Sequence, residues 1–521
     1  MEASALYQPP SVGEMLVGAL KSDPARPGLT LEDGTTITLG EMAEQLRLYL
    51  AVLAHLGLGR GKRVGMLSRN RPEVANMTNA LAIANVAMVP LHPFGSIEDF
   101  AYAIEDTSVD MLVFDPRYYD ELVGELAARF PAVRFASFGP SASGLDLLAL
   151  MATLEPLPLE VAEMDQEDIH RIVMTGGTTG KPKAILLSQR TMTSMLTIQL
   201  AEWDWPTEVR TLICAPLSHS GVAMLVPTFL RGGSVVVMDG FEPEKFMAAV
   251  QKYRITCTLL VPTMIYALLD HPRFGDYDLS SLESIYYGAS SINPERLAEA
   301  IRRMGPVFYQ FFGQSEAPMT VTVMRRHEHD VDNPLRLASC GRPVPWVRVK
   351  LLDDDNREVP AGSPGEICCQ GPLVMSGYIG KPDQTEAAFA GGWLHTGDVA
   401  VQDADGFLRI IDRKKDMIIT GGFNVYPREV EDVLGEHPAV GQVSVVGIPD
   451  PKWGEKVAAL VVLRKGMEAA AEELIALVRE RKGPVQAPKI VAFADAIPLS
   501  GLGKPDKKAV RVLMQEMQVG A

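Results

Sequence analysis

The chain has little cysteine, and none of it falls in a pairing pattern. Cys214, Cys257, Cys340, Cys368 and Cys369 make an odd count of five in 521 residues, with no C-x-x-C spacing. That excludes a disulfide framework and reads as buried thiols in a reducing compartment. Positive charge is also short. Lys and Arg total 49 against 65 Asp and Glu, a net charge of −16, so the basic stripe that a nucleic-acid surface needs is missing. Long apolar runs are absent as well. The stretch Ala80 to Leu91 is broken by Asn85 and Pro90 and is too short to span a bilayer. The opening MEASALYQPP has no basic n-region or apolar h-region. The expectation is a soluble cytoplasmic protein with no transmembrane segment and no nucleic-acid partner.

What is present is an ordinary globular composition, 47% hydrophobic and 22% charged, in a chain long enough for about two to four domains. From Glu41 to about Thr263, amphipathic helical patterns alternate with short β runs. Met42, Leu46, Tyr49, Leu50, Leu53 and Leu56 mark one helix face, and Val64 to Leu67 follows as a strand. Further strands are predicted at 111–114, 211–215, 234–238, 256–261, 284–287 and 307–310. This alternation predicts layered α/β subdomains over about 1–165 and 166–340, with 131–166 as a surface connection. After Cys340, turn-forming DDDN, PAGSPGE and DADG separate β runs, which predicts a small antiparallel sheet or β-barrel over about 341–412. A compact α+β unit over 413–521 completes the chain as a smaller mobile lid.

The most specific segment is TGGTTGKPKA, Thr175 to Ala184, set between the β-rich runs HRIVMT and AILLSQ. No helix opens on it, and Lys181 is followed by Pro182, so it is not a Walker A loop. Backbone N–H groups in a nest, the hydroxyls of Thr175, Thr178 and Thr179, and the ammonium of Lys183 or Lys181 suit a polyphosphate. Gly176, Gly177 and Gly180 permit the tight turn.

Four more segments carry polar residues where loops are expected: FFGQSE (311–316), HTGD (395–398, closing a turn at Asp398), DRKKDMIITGGFNVYP (412–427) and PLSGLGKPDKK (498–508). With the glycine-threonine loop they resemble, over about residues 30 to 510, the adenylate-forming superfamily of acyl-CoA synthetases, adenylation domains and luciferases. The resemblance favours the acyl-CoA ligase branch. It implies a large N-terminal domain, a mobile C-terminal domain, and ATP, Mg²⁺ and coenzyme A as cofactors. Thr175, Gly176, Gly177, Thr178, Thr179, Gly180 and Lys183 would hold the β and γ phosphates. Gly288, Ala289 and Ser290 would flank adenine, with Phe311, Phe312 and Gly313 beside it and Phe312 stacking. Ser315 would meet phosphate, Glu316 would bind Mg²⁺, Asp398 the ribose hydroxyls, and Arg413 ribose or phosphate. Lys504 would reach the substrate carboxylate and α-phosphate. Lys415 would be the hinge about which the lid turns, bringing Gly421, Gly422 and Phe423 to a pantetheine channel.

His219 would gate the acyl pocket, and Gly221, Met224, Ala289, Ser290 and Met319 would line it. These small or soft residues, with no acidic residue in Pro216 to Val222, point to a hydrophobic carboxylic acid (fatty, alicyclic, steroid-derived or aromatic) rather than an amino acid. Phe312, Ser315, Gly176 and the His219–Gly221 spacing depart from the family's usual pattern. Within the family a carrier-protein-loading enzyme, an adenylate-only ligase and an inactive binding relative stay open. A homodimer is the candidate assembly. From another class, GQSEA (313–317) mimics the nucleophile elbow of a serine hydrolase but closes on Ala317. RRHEHD (325–330) reads as a solvated charge run rather than a metal site.

Overall fold

Two large sheets with parallel interiors carry the N-terminal part. The computed structural model describes residues 9–175, 182–414, 416–421, 423–499 and 505–519. In the first sheet, parallel strands Ile169–Thr175, Ala87–Pro90, Arg63–Leu67, Met111–Phe114, Arg134–Ser137 and Leu145–Asp146 lie side by side. Lys183–Ser188 and then Gly377–Tyr378 extend it antiparallel. Ala87–Pro90 and Met111–Phe114 are buried throughout, as parallel strands covered on both faces must be. The segment 131–166, expected as a surface connection, instead supplies two of these strands and helix Leu147–Met151. Leu145–Asp146 is a two-residue edge strand, and Arg134–Ser137 beside it opens on an exposed Arg134, so neither has a continuous apolar run to reveal it.

The second sheet runs Arg342–Pro343, Ala317–Met324, Phe308–Gln314, Ser284–Tyr287, Cys257–Leu260, Arg210–Ile213, Ser234–Val237, Pro27–Thr30 and Thr36–Thr38. Its six strands from Phe308–Gln314 to Pro27–Thr30 are parallel. Sheet membership therefore crosses residue 165: strands at 27–38 join the second sheet, and those at 169–188 join the first. One apolar core runs between the sheets, from Met66 and Ile185 on the first to Val235, Leu259 and Tyr286 on the second. Helix Leu39–His55, with the Thr38–Glu41 capping box at its start, buries the predicted face of Met42, Leu46, Tyr49, Leu50 and Leu53 there.

Residues 348–413 form the antiparallel sheet Arg348–Leu352, Gly365–Gln370, Leu394–Gln402, Leu408–Arg413. It is open rather than the expected barrel, because four strands span too small an arc to close around side chains. Its free edge is instead met by Cys340 and Gly341, which exchange backbone hydrogen bonds with Leu408. HTGD lies inside strand Leu394–Gln402, paired on both sides, rather than closing a turn. RRHEHD is only partly solvated: the His329 ring is bonded to Tyr287 Oη (2.9 Å) and the Arg325 carbonyl (2.9 Å), and Arg325 pairs with Glu202 (2.7 Å). The C-terminal unit packs helices Pro427–Gly435 and Ala471–Lys482 on a sheet dominated by the long hairpin Val440–Asp450 and Gly454–Leu463. No described helix is long and apolar enough to cross a membrane.

Gly341 joins the second sheet to the third at φ +89°, where an added Cβ would collide with the Val323 backbone. Gly341→Ala combines left-handed strain with overpacking. It should destabilise the fold by about 2 kcal/mol or more, read as a lower midpoint of chemical denaturation.

Candidate functional site

The predicted ligand residues come from loops at the carboxyl ends of strands in both sheets, where open α/β sheets place their crevices. Thr175 ends Ile169–Thr175, Gly288 follows Ser284–Tyr287, Ser315 and Glu316 follow Phe308–Gln314, and His219 follows Arg210–Ile213. With Lys183, Asp398 and Arg413 they line one cleft of about 1420 Å³. Asp398 and Glu316 share this cleft with Thr175 and Lys183, the described residues on either side of the glycine-threonine turn. Thr175 and Lys183 are cross-strand partners in an antiparallel pair, which is the strand–loop–strand arrangement expected around the phosphate loop. Gly176, Gly177, Thr178, Thr179, Gly180, Lys415, Gly422 and Lys504 lie outside the described residues.

Gln314 pairs with Ala317, so Ser315 and Glu316 form the turn of a hairpin. A nucleophile elbow leads from strand into helix, and no described histidine is bonded to Ser315, so the serine-hydrolase reading falls. Strand alternation turns the Phe311 ring inward against Trp203 (ring centroids 5.0 Å) and leaves Phe312 half-buried at the cleft. Gly288 allows its loop to lie against the Phe311 carbonyl, where any Cβ would collide. Ala289 and Met319, both lining the cleft, hold φ +65° without being glycine. Gly313 packs against the Met319 backbone across the hairpin.

Tyr378 was not singled out in the sequence. Its Oη donates to Glu316 Oε1 (3.0 Å), and Lys183 Nζ lies 4.6 Å from its ring centroid. Burial, followed by the Glu316 charge, raises the phenol pKa, so it stays a donor. One aromatic ring thus links the predicted phosphate lysine to the predicted metal carboxylate. Sequence could not reveal this, since Tyr378 reaches the site by pairing with Ile185, far away in the chain.

Asp398 is buried, and its Oδ1 meets Arg413 Nε at 2.6 Å. The two residues are register partners on adjacent strands. Lys414, next along, pairs with Asp354 (2.6 Å) and Glu366 (3.2 Å), and Glu366 also bonds the His395 ring (3.0 Å) and the Gly397 N–H (2.9 Å). Beyond the junction, Lys507, three positions after Lys504, faces Glu431 (3.3 Å) and Asp412 (4.0 Å). Burial works against its charge, but these carboxylates outweigh it and raise its pKa. Arg428, Lys507 and Arg511 of the C-terminal unit line the cleft. Gly421 and Phe423 lie on the lid's solvent face, where Gly421 backs onto the Trp453 ring and Phe423 is 60% exposed.

His219 lines the cleft, edge-on to His92 (centroids 4.9 Å), with Nδ1 2.9 Å from Ser218 Oγ. Burial, helped by the charges of His92 and Arg171, lowers its pKa to about 3. Of the expected pocket residues, Ala289, Ser290 and Met319 do line the cleft. Gly221 and Met224 do not. They sit in the 3₁₀ turn Gly221–Met224, buried behind the wall, and Val222, Ala223 and Val226 face the cavity instead. A turn of about three residues shifts the facing positions from those a simple count suggests. His92, not anticipated, faces the cavity from the end of strand Ala87–Pro90.

Tyr378→Phe removes a hydrogen bond to a carboxylate. Nucleotide turnover should fall about 10-fold with the fold intact, measured as kcat/KM for ATP. Burial also holds His170 and His329 near about 4. With His219 they are neutral when folded, whereas the unfolded chain takes up these protons as pH falls through about 6.5. Stability should be fully present above about pH 6.5 and fall progressively toward pH 4, checked by denaturation midpoints.

The AMP-binding enzyme family profile matches residues 19–379, and that of the AMP-binding enzyme C-terminal domain matches 429–504. The chain is 48% identical to the medium/long-chain-fatty-acid–CoA ligase FadD8 of Mycobacterium tuberculosis over 98% of this chain and 91% of that protein. It is 35% identical to a feruloyl-CoA synthase from Amycolatopsis, over 92% and 94%. Among solved structures, the amide bond synthetase McbA of Marinactinospora thermotolerans superimposes with a TM-score of 0.89 at 33% identity, covering 96% of this chain and 99% of that one. With both halves matched in order around a single cleft, the chain belongs to the AMP-binding enzymes, in the acyl-CoA ligase branch of the adenylate-forming superfamily.

Proposed function

We propose that the protein is an ATP-dependent acyl-CoA synthetase that adenylates a hydrophobic carboxylic acid, releases pyrophosphate, and passes the acyl group to the thiol of coenzyme A. The observation that carries this reading is the convergence of Thr175, Lys183, Glu316, Asp398 and Arg413 on one cleft. A carboxylate attacking the α-phosphorus must approach a like charge. Lys183, Arg413 and the lid's Lys504 would screen that encounter, and loop N–H groups would hold the leaving pyrophosphate. Phe312 would stack on adenine, and Asp398, set by Arg413, would accept the ribose hydroxyls. Among the described residues the Glu316 carboxylate and the Thr175 hydroxyl offer oxygen ligands in this part of the cleft, a kind of donor that fits Mg²⁺. Bound there, Mg²⁺ would neutralise phosphate charge, while Tyr378 fixes the carboxylate that holds it.

For the thioester step, the unit after Arg413 would turn about Lys415. That motion would withdraw Lys504 and bring Gly421, Gly422 and Phe423 to the thiol's path. The solvent exposure of Phe423, Ile419 and Trp453 beside the cleft-lining Pro505 to Lys508 supports a lid with two working faces. Neutral His219 would gate the acyl entrance. The apolar branch of the cleft, with Leu81, Val86, Met88, Leu196 and Val226, supports a fatty, alicyclic or aromatic acid, and the relative named a medium/long-chain-fatty-acid–CoA ligase favours the fatty one. Five free, buried cysteines suit a reducing cytoplasm.

Pyrophosphate release across a panel of straight-chain acids tests the proposal, with and without coenzyme A. Release should need an acid, and acyl-CoA should accumulate when CoA is present. Each added CH₂ should raise kcat/KM about 4-fold until the pocket is full. Acyl-AMP left unconverted in the presence of CoA would overturn the choice of acceptor.

A further inference from the structure

Arg171 is an arginine with no ion pair among the described residues, on a cleft wall that also carries Met88, Leu81, Val86 and Leu196. It lies on strand Ile169–Thr175, is 6% exposed, and lines the cleft. Its Nη2 donates to the Ser218 carbonyl (3.1 Å) and lies 3.9 Å from Met88 Sδ, while its buried Nε has no partner. Among the described residues it forms no ion pair. The nearby rings of His170 and His219 are neutral, so they cannot balance its charge. Burial lowers its pKa to about 10, which leaves it charged at neutral pH. A buried, unpaired guanidinium costs several kcal/mol, and a cavity built only for alkyl chain gains nothing from it.

Position separates Arg171 from the reacting centre. Its backbone is four residues, about 13 Å of strand, upstream of Thr175, and its head is tied to the Ser218 carbonyl. Apolar Met88, Leu81, Val86 and Leu196 line the same cavity, together with the neutral rings of His170 and His219 and with Asn79, whose buried Nδ2 has no partner. Two residues with an unsatisfied donor, Arg171 and Asn79, therefore line the stretch of the cleft that also holds these apolar side chains.

We infer that Arg171 is a specificity-determining residue that hydrogen-bonds a second oxygen function, a keto, hydroxyl or carboxylate oxygen carried along the acyl chain of the acid substrate. The inference rests on the acid-adenylating reading above and narrows its substrate class to oxygenated aliphatic acids.

The test uses the full-length protein and a matched set of octanoic acid, its keto and hydroxy derivatives at successive positions, and octanedioic acid, with pyrophosphate release as readout. The wild type should prefer at least one oxygenated member over octanoate. Arg171→Met, close in volume but apolar, should lower kcat/KM for that member on the order of 10²-fold while leaving octanoate within about 3-fold. Arg171→Lys should keep part of the preference. Equal loss for octanoate, or an unchanged preference in Arg171→Met, would overturn the assignment. Should Arg171→Met fail to fold, the wild-type ranking decides: octanoate above every oxygenated member contradicts the inference alone. No pyrophosphate release with any acid would instead contradict the adenylating reading itself.

Discussion

Like charge is the constraint around which this molecule is organised. A carboxylate must be brought against a polyphosphate inside a protein that itself carries a net charge of −16. The solution is local: strand ends from two sheets deliver N–H groups, hydroxyls and cations to one crevice, and a second unit brings Arg428, Lys507 and Arg511 over it. The bulk of the acidic surface is left outside. Within the crevice each charge is set by a neighbour. Arg413 holds Asp398, Tyr378 links Lys183 to Glu316, and Glu431 and Asp412 sustain the half-buried ammonium of Lys507.

The junction after Arg413 carries the mechanical consequence. Arg413 ends a strand of the third sheet, tied to Asp398, and Lys414 is pinned by Asp354 and Glu366. On the reading proposed above, turning the C-terminal unit about the next residue would keep the nucleotide contacts on one side and free the contacts on the other. A few residues suffice for such a change. The exposed Phe423 and Ile419 make sense in this light, since apolar side chains left in water on one face of the lid would be buried once that face turns inward.

Much of the fold was legible because it is written in local periodicity. The predicted strands at 111–114 and 284–287 match the structure residue for residue, and helix Pro427–Gly435 is found where expected. Residues of local motifs, Thr175 and Lys183 at the two ends of the glycine-threonine segment and Ser315 and Glu316 of the QSE turn, line the cleft together. What escaped depends on distant pairing. Tyr378 enters through a two-residue strand joined to Lys183–Ser188, and His92 through a loop after a buried strand. Arg171 is hidden in what reads as an ordinary β run. Gly221 and Met224 were misplaced because a 3₁₀ turn rotates the facing positions. The barrel failed on strand count, which no turn motif reports.

The central claim is that two faces of one C-terminal unit serve two successive reactions, and separating the half-reactions in Lys504→Ala tests it most directly. The account predicts that this variant fails to form acyl-adenylate from ATP and acid, with loss on the order of 10²-fold to 10³-fold, yet converts synthetic acyl-AMP and coenzyme A to thioester at nearly the wild-type rate. Equal loss in both half-reactions would contradict it.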